Sequence, residues 1–292
     1  MDALPTDKTP RNMTLEELNK EETMYYMGGT ILVCSLAVIG LVGNLHVLFV
    51  YIWRMKQSNH RIFIICLGVL DLITCLIGMP FIVTNFLKPF TFFDTTMCKT
   101  LTFYNFFICL SSACVLIVIA VDRYRKICVP YGKQMSQKVA KAMCLTAMML
   151  ALLLSWPGFV IYGSTPIKTR DPDITGYECN ILADLKDTWY PIIFNGVLLF
   201  IAFSIWITLV TKTPTFILEA LTHYVPYLVL RLVFYTNSDW YPSMTFAGKV
   251  TFNTFLWCVY VNNMANPIIY GFCDQRFRNE VRIGYNSIFC RN

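Results

Sequence analysis

The sequence predicts an all-α membrane protein in which seven helices form a bundle. Of its 292 residues, 56% are hydrophobic and only 14% are charged, whereas a soluble domain averages about 25% charged residues. Seven apolar stretches are each long enough to cross a bilayer, which takes about 20 helical residues. Basic residues are concentrated in alternate connecting segments, as they are in multi-pass membrane proteins. These three observations together predict the fold class.

The seven predicted helices are joined by short connections. They cover roughly 25–52, 61–87, 98–121, 142–163, 188–211, 215–236 and 247–272, and the sixth has the least distinct limits. In lipid the backbone must satisfy its own hydrogen bonds, so each stretch is expected to be helical. We therefore divide the chain into an extracellular tail at 1–24, a seven-transmembrane domain at 25–272 and a cytoplasmic segment at 273–292.

The N-terminal tail is polar, and four of its residues are glutamates: Glu16, Glu17, Glu21 and Glu22. It has no apolar core of its own, so no cleaved signal peptide is expected. If this tail lies outside the cell, more than half of the 24 basic residues fall in cytoplasmic segments. That is the positive-inside distribution, and it predicts a plasma-membrane protein with an extracellular N-terminus. The sequon Asn12-Met13-Thr14 then makes Asn12 a candidate glycosylation site.

Two cysteines fall in the predicted extracellular segments. Cys98 begins the third helix, and Arg123, 25 residues further on, lies about 37 Å away along the helix axis, near the opposite surface. Cys179 lies in the segment GYECNI between helices four and five. Two free thiols are one interpretation. We favour a disulfide, because these are the only cysteines placed on the oxidising side.

Four motifs occur in order along the predicted helices. They are GLVGNLHVLFV with Asn44, CLGVLDLITCLIGMP with Asp71 and Pro80, DRY at Asp122–Tyr124, and NPxxY at Asn266–Tyr270. The segment CDQRFRNEV then resembles a short eighth helix. By the order, spacing and membrane side of these motifs, the chain resembles a rhodopsin-like (class A) G-protein-coupled receptor over nearly its whole length. The resemblance implies an extracellular ligand, a heterotrimeric G protein and arrestin as partners.

The resemblance also implies a sodium site inside the bundle. Asp71 would bind Na⁺ together with Ser112, Asn262 and Asn266, and oxygen ligands suit this cation. Asn44 belongs to the same polar core, and Pro267 would kink helix seven. A neutral acid that is hydrogen-bonded within the bundle is the simpler interpretation of Asp71. No other cofactor is expected.

For the inner end, the resemblance implies a switch for the G protein. Asp122 would hold Arg123 at rest, and activation would free the guanidinium, with Tyr124 and Tyr270 as further members. The always-charged planar fork of arginine suits such an exchange of partners. A simple positive-inside anchor is the alternative for Arg123, and it is the interpretation of Arg125 and Lys126.

Single positions narrow the ligand class that the resemblance allows. Receptors for amines carry an aspartate where this chain has Asn105, and opsins carry a lysine where it has Tyr260. A peptide or hormone receptor remains. Acids in the 160–187 loop and the N-terminal tail would favour a basic ligand, but a solvated loop is the better interpretation of most of them.

The sixth helix departs from the family pattern. Tyr224 stands where the family has its rotamer switch and Pro226 where it has its kink, yet Lys212 lies only 14 residues before that proline. The junction between helices five and six is therefore short, and we expect weak coupling to G proteins. An imperfect gene model or a splice form around 210–220 is the alternative.

The last segment is amphipathic and is expected to lie on the inner leaflet of the bilayer, with Phe277 and Val281 on one side. Cys290 is a candidate palmitoylation site, and a free thiol is the alternative.

No nucleophile and base motif indicates an enzyme, and nothing indicates a nucleic-acid partner. A transporter or channel that uses Asp71, Glu219 and His223 is the main alternative function, but it predicts internal repeats that the sequence lacks.

Overall fold

The computed structural model describes residues 13–186, 188–194, 196–197, 230 and 240–289. Most of the predicted fifth and sixth helices lie outside this part of the chain. The same holds for the predictions made for Asn12, Lys212, Glu219, His223, Tyr224, Pro226 and Cys290.

From residue 13 to residue 161, the chain is mostly helical. Its elements are α1 (Leu15–Tyr25), α2 (Met27–Trp53), α3 (Asn59–Ile73), a π-helical turn (Thr74–Gly78), α4 (Met79–Leu87), α5 (Thr95–Cys128) and α6 (Gln137–Ile161). Four helices of the described residues are long and apolar enough to cross a membrane: Met27–Trp53, Asn59–Leu87, Thr95–Cys128 and Gln137–Ile161. They match the first four predicted stretches.

The second half begins with a β-hairpin. The elements are β1 (Tyr162–Lys168), β2 (Thr175–Ile181), α7 (Ala183–Lys186), α8 (Trp240–Ser243), α9 (Phe246–Leu256), a 3₁₀ turn (Cys258–Tyr260), α10 (Val261–Cys273) and α11 (Gln275–Phe289). The predicted seventh helix thus consists of α9, the 3₁₀ turn and α10, and the amphipathic segment forms α11.

Short polar side chains fix where the long helices begin. Ser58, Asp94 and Ser136 precede α3, α5 and α6, and each accepts a hydrogen bond from a backbone N–H of the first turn. Such N-caps satisfy donors that have no partner within the helix. Thr14 and Glu17 form a capping box at the start of α1.

The second membrane helix changes its winding where Pro80 enters it. Pro80 has no N–H to donate to the preceding turn, and the π-helical turn Thr74–Gly78 lies directly before α4. Asp71 lies immediately before this irregular segment. The local winding therefore sets the direction in which the outer part of the helix leaves the centre of the bundle.

The core consists of three clusters at different depths. The first joins α2, α4, α5 and the hairpin through side chains such as Val33, Met79 and Phe86. The second packs α3 against α5 and α6, and the third packs α2 and α3 against Phe277 of α11. Large apolar side chains on the outer faces of α2 and α6 are exposed. In a membrane protein, such faces contact lipid.

Candidate functional site

One end of the bundle is closed by a disulfide. Cys98 in the first turn of α5 is bonded to Cys179 in β2, with 5.5 Å between the Cα atoms. The predicted bridge is confirmed. It fixes the hairpin to the end of the longest helix, and Cys98 itself is fully buried.

The hairpin lies across this same end of the molecule. β1 and β2 pair antiparallel, with Tyr162 opposite Ile181 and Ser164 opposite Cys179. The segment after α4 joins them, because Phe92 N–H donates to the Tyr177 carbonyl (2.9 Å) and Tyr177 N–H donates to the Phe90 carbonyl (2.8 Å). Ser164 Oγ also donates to the Phe92 carbonyl at 2.7 Å. This part of the loop therefore forms a hairpin across the end of the bundle, and its acids Asp173 and Asp184 are exposed.

Helix α1 packs on the same end, although the sequence predicted only a polar tail there. Asn19 accepts from the Phe90 N–H (3.0 Å) and donates to the Leu87 carbonyl (3.0 Å). Leu18 is 3% exposed. Asn253 of α9 donates to the Tyr25 carbonyl at 3.2 Å. These contacts attach α1 to the connection after α4 and to the start of the last membrane helix.

Charged and aromatic side chains meet where α1, the hairpin and α9 converge. Arg170 donates to the Tyr25 hydroxyl at 2.5 Å and lies 3.7 Å from Glu21. The Lys249 ammonium lies 4.8 Å from the centre of the Tyr25 ring, a cation–π contact. Burial raises the pKa of Glu22, and the charges of Arg170 and Lys249 oppose this rise. The surface at this end is therefore polar, aromatic and of mixed charge.

Beneath this cover a polar pair joins α5 to the 3₁₀ turn. Asn105 Nδ2 donates to the Tyr260 hydroxyl at 3.2 Å. The Tyr260 ring stacks on Trp257 with 6.0 Å between centroids, and Trp257 contacts Phe86 at 5.3 Å. Asn105 and Tyr260, the positions that argued against an amine receptor and an opsin, thus contact each other. They lie beside the aromatic side chains of Trp257 and Phe86.

Asp71 lies at the middle of the bundle and is 1% exposed. Asn266 Nδ2 donates to its carboxylate at 2.8 Å, which joins α3 to α10. Asn44 donates to the Gly40 and Asn263 carbonyls at 2.9 and 2.8 Å. Ser112 and Asn262 lie partly buried on α5 and α10. The predicted set contains carboxylate, hydroxyl and amide oxygens, a donor chemistry that fits a hard cation such as Na⁺.

Helices α2 and α10 approach closely beside this polar set. A Cβ built at Gly43 would lie 2.9 Å from the Pro267 ring, so only glycine allows this contact without a shift. Pro267 lies inside α10, and Tyr270, one turn later, has its ring centroid 6.0 Å from that of Tyr51. The NPxxY residues therefore run along α2 towards the opposite end of the bundle.

At that opposite end, Asp122 is 4% exposed. Its carboxylate accepts from Asn59 Nδ2 at 3.1 Å and from Lys126 Nζ at 2.6 Å. Arg123 is exposed, and no hydrogen bond or ion pair joins it to Asp122 within the described residues. Tyr124 is 41% exposed. The DRY motif is present, but Asp122 pairs with Lys126, whereas the resemblance implies a pair with Arg123.

The start of α11 is fixed to the same end by Asp274. Its carboxylate accepts from the Tyr51 hydroxyl (2.7 Å) and from the backbone N–H groups of Arg276 (2.9 Å) and Phe277 (3.2 Å). Burial raises the pKa of Asp274, but these hydrogen bonds outweigh it, so the pKa lies below its ordinary value. Asp274 therefore acts as an ionised N-cap that also contacts α2.

Comparison with known proteins identifies the family of this chain. Residues 43–225 match the family model described as 7 transmembrane receptor (rhodopsin family). The chain belongs to this family. It is therefore a multi-pass membrane receptor with the seven-helix fold, and the family match favours this function over the transporter or channel alternative.

Three relatives show how far the similarity extends. The chain is 27% identical to the C3a anaphylatoxin chemotactic receptor of Danio rerio, over 88% of this chain and 75% of that receptor. It is 29% identical to the cholecystokinin receptor type A of Cavia porcellus, over 52% of this chain and 37% of the relative. It is 32% identical to dopamine receptor 2 of Caenorhabditis elegans, over 53% of this chain and 18% of the relative.

Three functional contacts escaped the sequence analysis, each for a stated reason. Asn19 lies in the middle of α1 and Asn59 begins α3, and nothing in their spacing shows that each bonds to a segment far away in the chain. Lys126 has a detectable signal, because it lies four residues after Asp122 and such pairs share a helix face. We assigned it to the positive-inside charge instead.

Proposed function

We propose that this receptor binds an extracellular peptide, a neuropeptide or peptide hormone, and signals to heterotrimeric G proteins. The observation that carries the ligand class is the alignment with a C3a anaphylatoxin receptor, which spans most of both chains. The dopamine receptor relative aligns over about half of this chain. A receptor for a small amine is therefore the weaker candidate.

Chemistry at the outer end supports a peptide over an amine. An ammonium group that leaves water needs a carboxylate partner, and Asn105 offers a neutral amide that is bonded to Tyr260. Above this pair, α1 and the hairpin present carboxylates, a guanidinium, an ammonium and tyrosine rings. A peptide carries backbone amides and charged side chains that can use many of these groups at once, and a small amine cannot.

The proposal has further parts, which the sequence motifs and the family together support. The N-terminus lies outside the plasma membrane, with Asn12 glycosylated, and α11 lies on the inner leaflet, where Cys290 carries a palmitate. Na⁺ held by Asp71, Ser112, Asn262 and Asn266 stabilises the resting bundle. The end that carries Arg123, Tyr124 and Tyr270 engages the G protein and arrestin. The buried contact between Asp71 and Asn266 supports the sodium site, because it brings two of its members together.

A screen of peptides on cells expressing the full chain tests the ligand class. The probes are fractionated tissue peptide extracts, C3a anaphylatoxin, cholecystokinin and dopamine, with calcium and cyclic AMP as readouts. We expect a small response to a peptide fraction, because weak coupling is expected of this chain. This response should disappear after protease treatment and be absent from untransfected cells. A response to dopamine that no peptide reproduces would refute the peptide assignment.

A further inference from the structure

The buried carboxylate of Asp122 is shared by two partners on different elements. Oδ1 accepts from Asn59, the first residue of α3, and Oδ2 accepts from Lys126, one turn further along α5. Asn59 also donates to the Met135 carbonyl at 2.7 Å in the following loop. Both carboxylate oxygens are thus occupied.

Helix geometry explains why the cation is Lys126. α5 continues without a break to Cys128, so Asp122 and Lys126 lie one above the other on the same face. Arg123 is the next residue and points about 100° away around the helix. An acid that precedes a lysine by four residues is also the favourable order with respect to the helix dipole. The continuous helix therefore favours Lys126 over Arg123.

Burial makes this choice of partner consequential. The Asp122 side chain is 5% exposed, whereas that of Lys126 is 45% exposed. A buried carboxylate that loses its cation is strongly unfavourable, and the nearby chain must then supply another. Arg123 is exposed and directly follows Asp122 in the chain. Arg125, three residues after Asp122, is bonded to the Lys133 carbonyl, so Arg123 is the other nearby cation that can move to Asp122.

We propose that Lys126 is a positioning residue that occupies Asp122 and so keeps the Arg123 guanidinium free of that carboxylate. Lys126 thereby reduces the hold that Asp122 has on Arg123. The consequence for signalling rests on the proposed function, because a free guanidinium matters only if a G protein meets it. The pairing itself does not depend on coupling.

The reactivity of Arg123 towards phenylglyoxal, measured by peptide mass spectrometry on the full chain in nanodiscs, tests the pairing. In Lys126→Gln we expect Arg123 to be modified several-fold more slowly than in the wild type, because it replaces Lys126 at Asp122. Lys126→Arg should restore the wild-type rate, and so should the double variant Lys126→Gln/Asp122→Asn. A purely structural role for Lys126 would not produce this pattern.

Two controls keep the test decisive. Arg125→Gln removes the same charge from the adjacent residue, whose guanidinium donates to the Lys133 carbonyl at 2.6 Å, and should leave Arg123 reactivity unchanged. Asp122→Asn alone should also leave it unchanged, which still tests the proposal if Lys126→Gln does not fold. An unchanged rate in Lys126→Gln, or faster modification in Asp122→Asn, would overturn the proposal. Absence of G-protein activation by the wild type would instead refute the proposed coupling and leave these rates interpretable.

Discussion

Cys98 and Cys179 illustrate a contact between single residues that determines the arrangement of a whole surface. Their bond closes a segment with a sequence separation of 81 and fixes the hairpin over the end of α5. Losing a native disulfide typically costs about 2–5 kcal/mol.

We expect Cys98→Ser and Cys179→Ser each to reduce surface expression, and the double variant to be no worse than either single one. Quantitative flow cytometry measures this, with Cys128→Ser, an exposed free cysteine, as the control. Additive losses would show that the two thiols act independently.

The role proposed for Asp71 depends on the binding of Na⁺. If Na⁺ binds there, it stabilises the folded receptor by mass action. We expect NaCl to raise the melting temperature of the purified wild type above that in KCl of equal ionic strength, and Asp71→Asn to abolish the difference. Agonist affinity should lose its dependence on sodium in the same variant. Ser111→Ala, a buried hydroxyl next to Ser112, should retain both effects. Sodium sensitivity that survives in Asp71→Asn would exclude this site.

Single residues also show how far sequence reasoning reaches. The motif acids and asparagines were located because their spacing is characteristic, and the Cys98–Cys179 bridge was predicted because only two cysteines lie on one side. The partner of Asp122 was missed, since the motif suggests Arg123 while helix periodicity favours Lys126. A local rule of the helix predicts this contact better than the motif does.

Among the elements, α1 and the hairpin were not predicted, and their contacts explain why. The helix α1 is polar over most of its surface and buries Leu18 only where it meets the rest of the molecule. Its position depends on long-range hydrogen bonds such as that from Asn19 to the Leu87 carbonyl. The hairpin depends on the disulfide and on pairing with residues 90–92. Such contacts join residues far apart in the chain, and local periodicity does not report them.

The junction between α10 and α11 yields a prediction with a defined pH dependence. Asp274→Ala removes the N-cap of α11, which should lower the free energy of unfolding by about 0.5–2 kcal/mol. It also removes the hydrogen bond from the Tyr51 hydroxyl. Asp274→Asn can still cap the helix and should lose less. The folded-state pKa of Asp274 is lowered, so the advantage of the wild type over Asp274→Asn is present above the ordinary aspartate pKa. It is lost as the pH falls through the lower folded-state value. Thermal melts at several pH values measure this, and an advantage that grows on acidification would contradict it.

For the whole molecule, the short junction that the sequence predicts between the fifth and sixth helices leads to the prediction of weak coupling. In this family the inner end of helix six swings outward to admit the G protein, and a shortened helix has less leverage and fewer cationic contacts. We expect the 292-residue form to reach the cell surface and to give little agonist-evoked nucleotide exchange. A variant whose junction is lengthened with a family-length segment should couple more strongly. A full-strength response from the unmodified chain would show that our placement of helix six is wrong.

The central claim is that a peptide binds this receptor at the end formed by α1, the hairpin and the disulfide. Saturation binding of a labelled peptide from the screen tests it most directly, because the binding readout itself does not require coupling. The account predicts saturable binding to cells expressing the chain, displacement by unlabelled peptide, and weaker binding when Asn19→Ala detaches α1, with Lys20→Ala as the control. Binding no greater than in untransfected cells would contradict the claim.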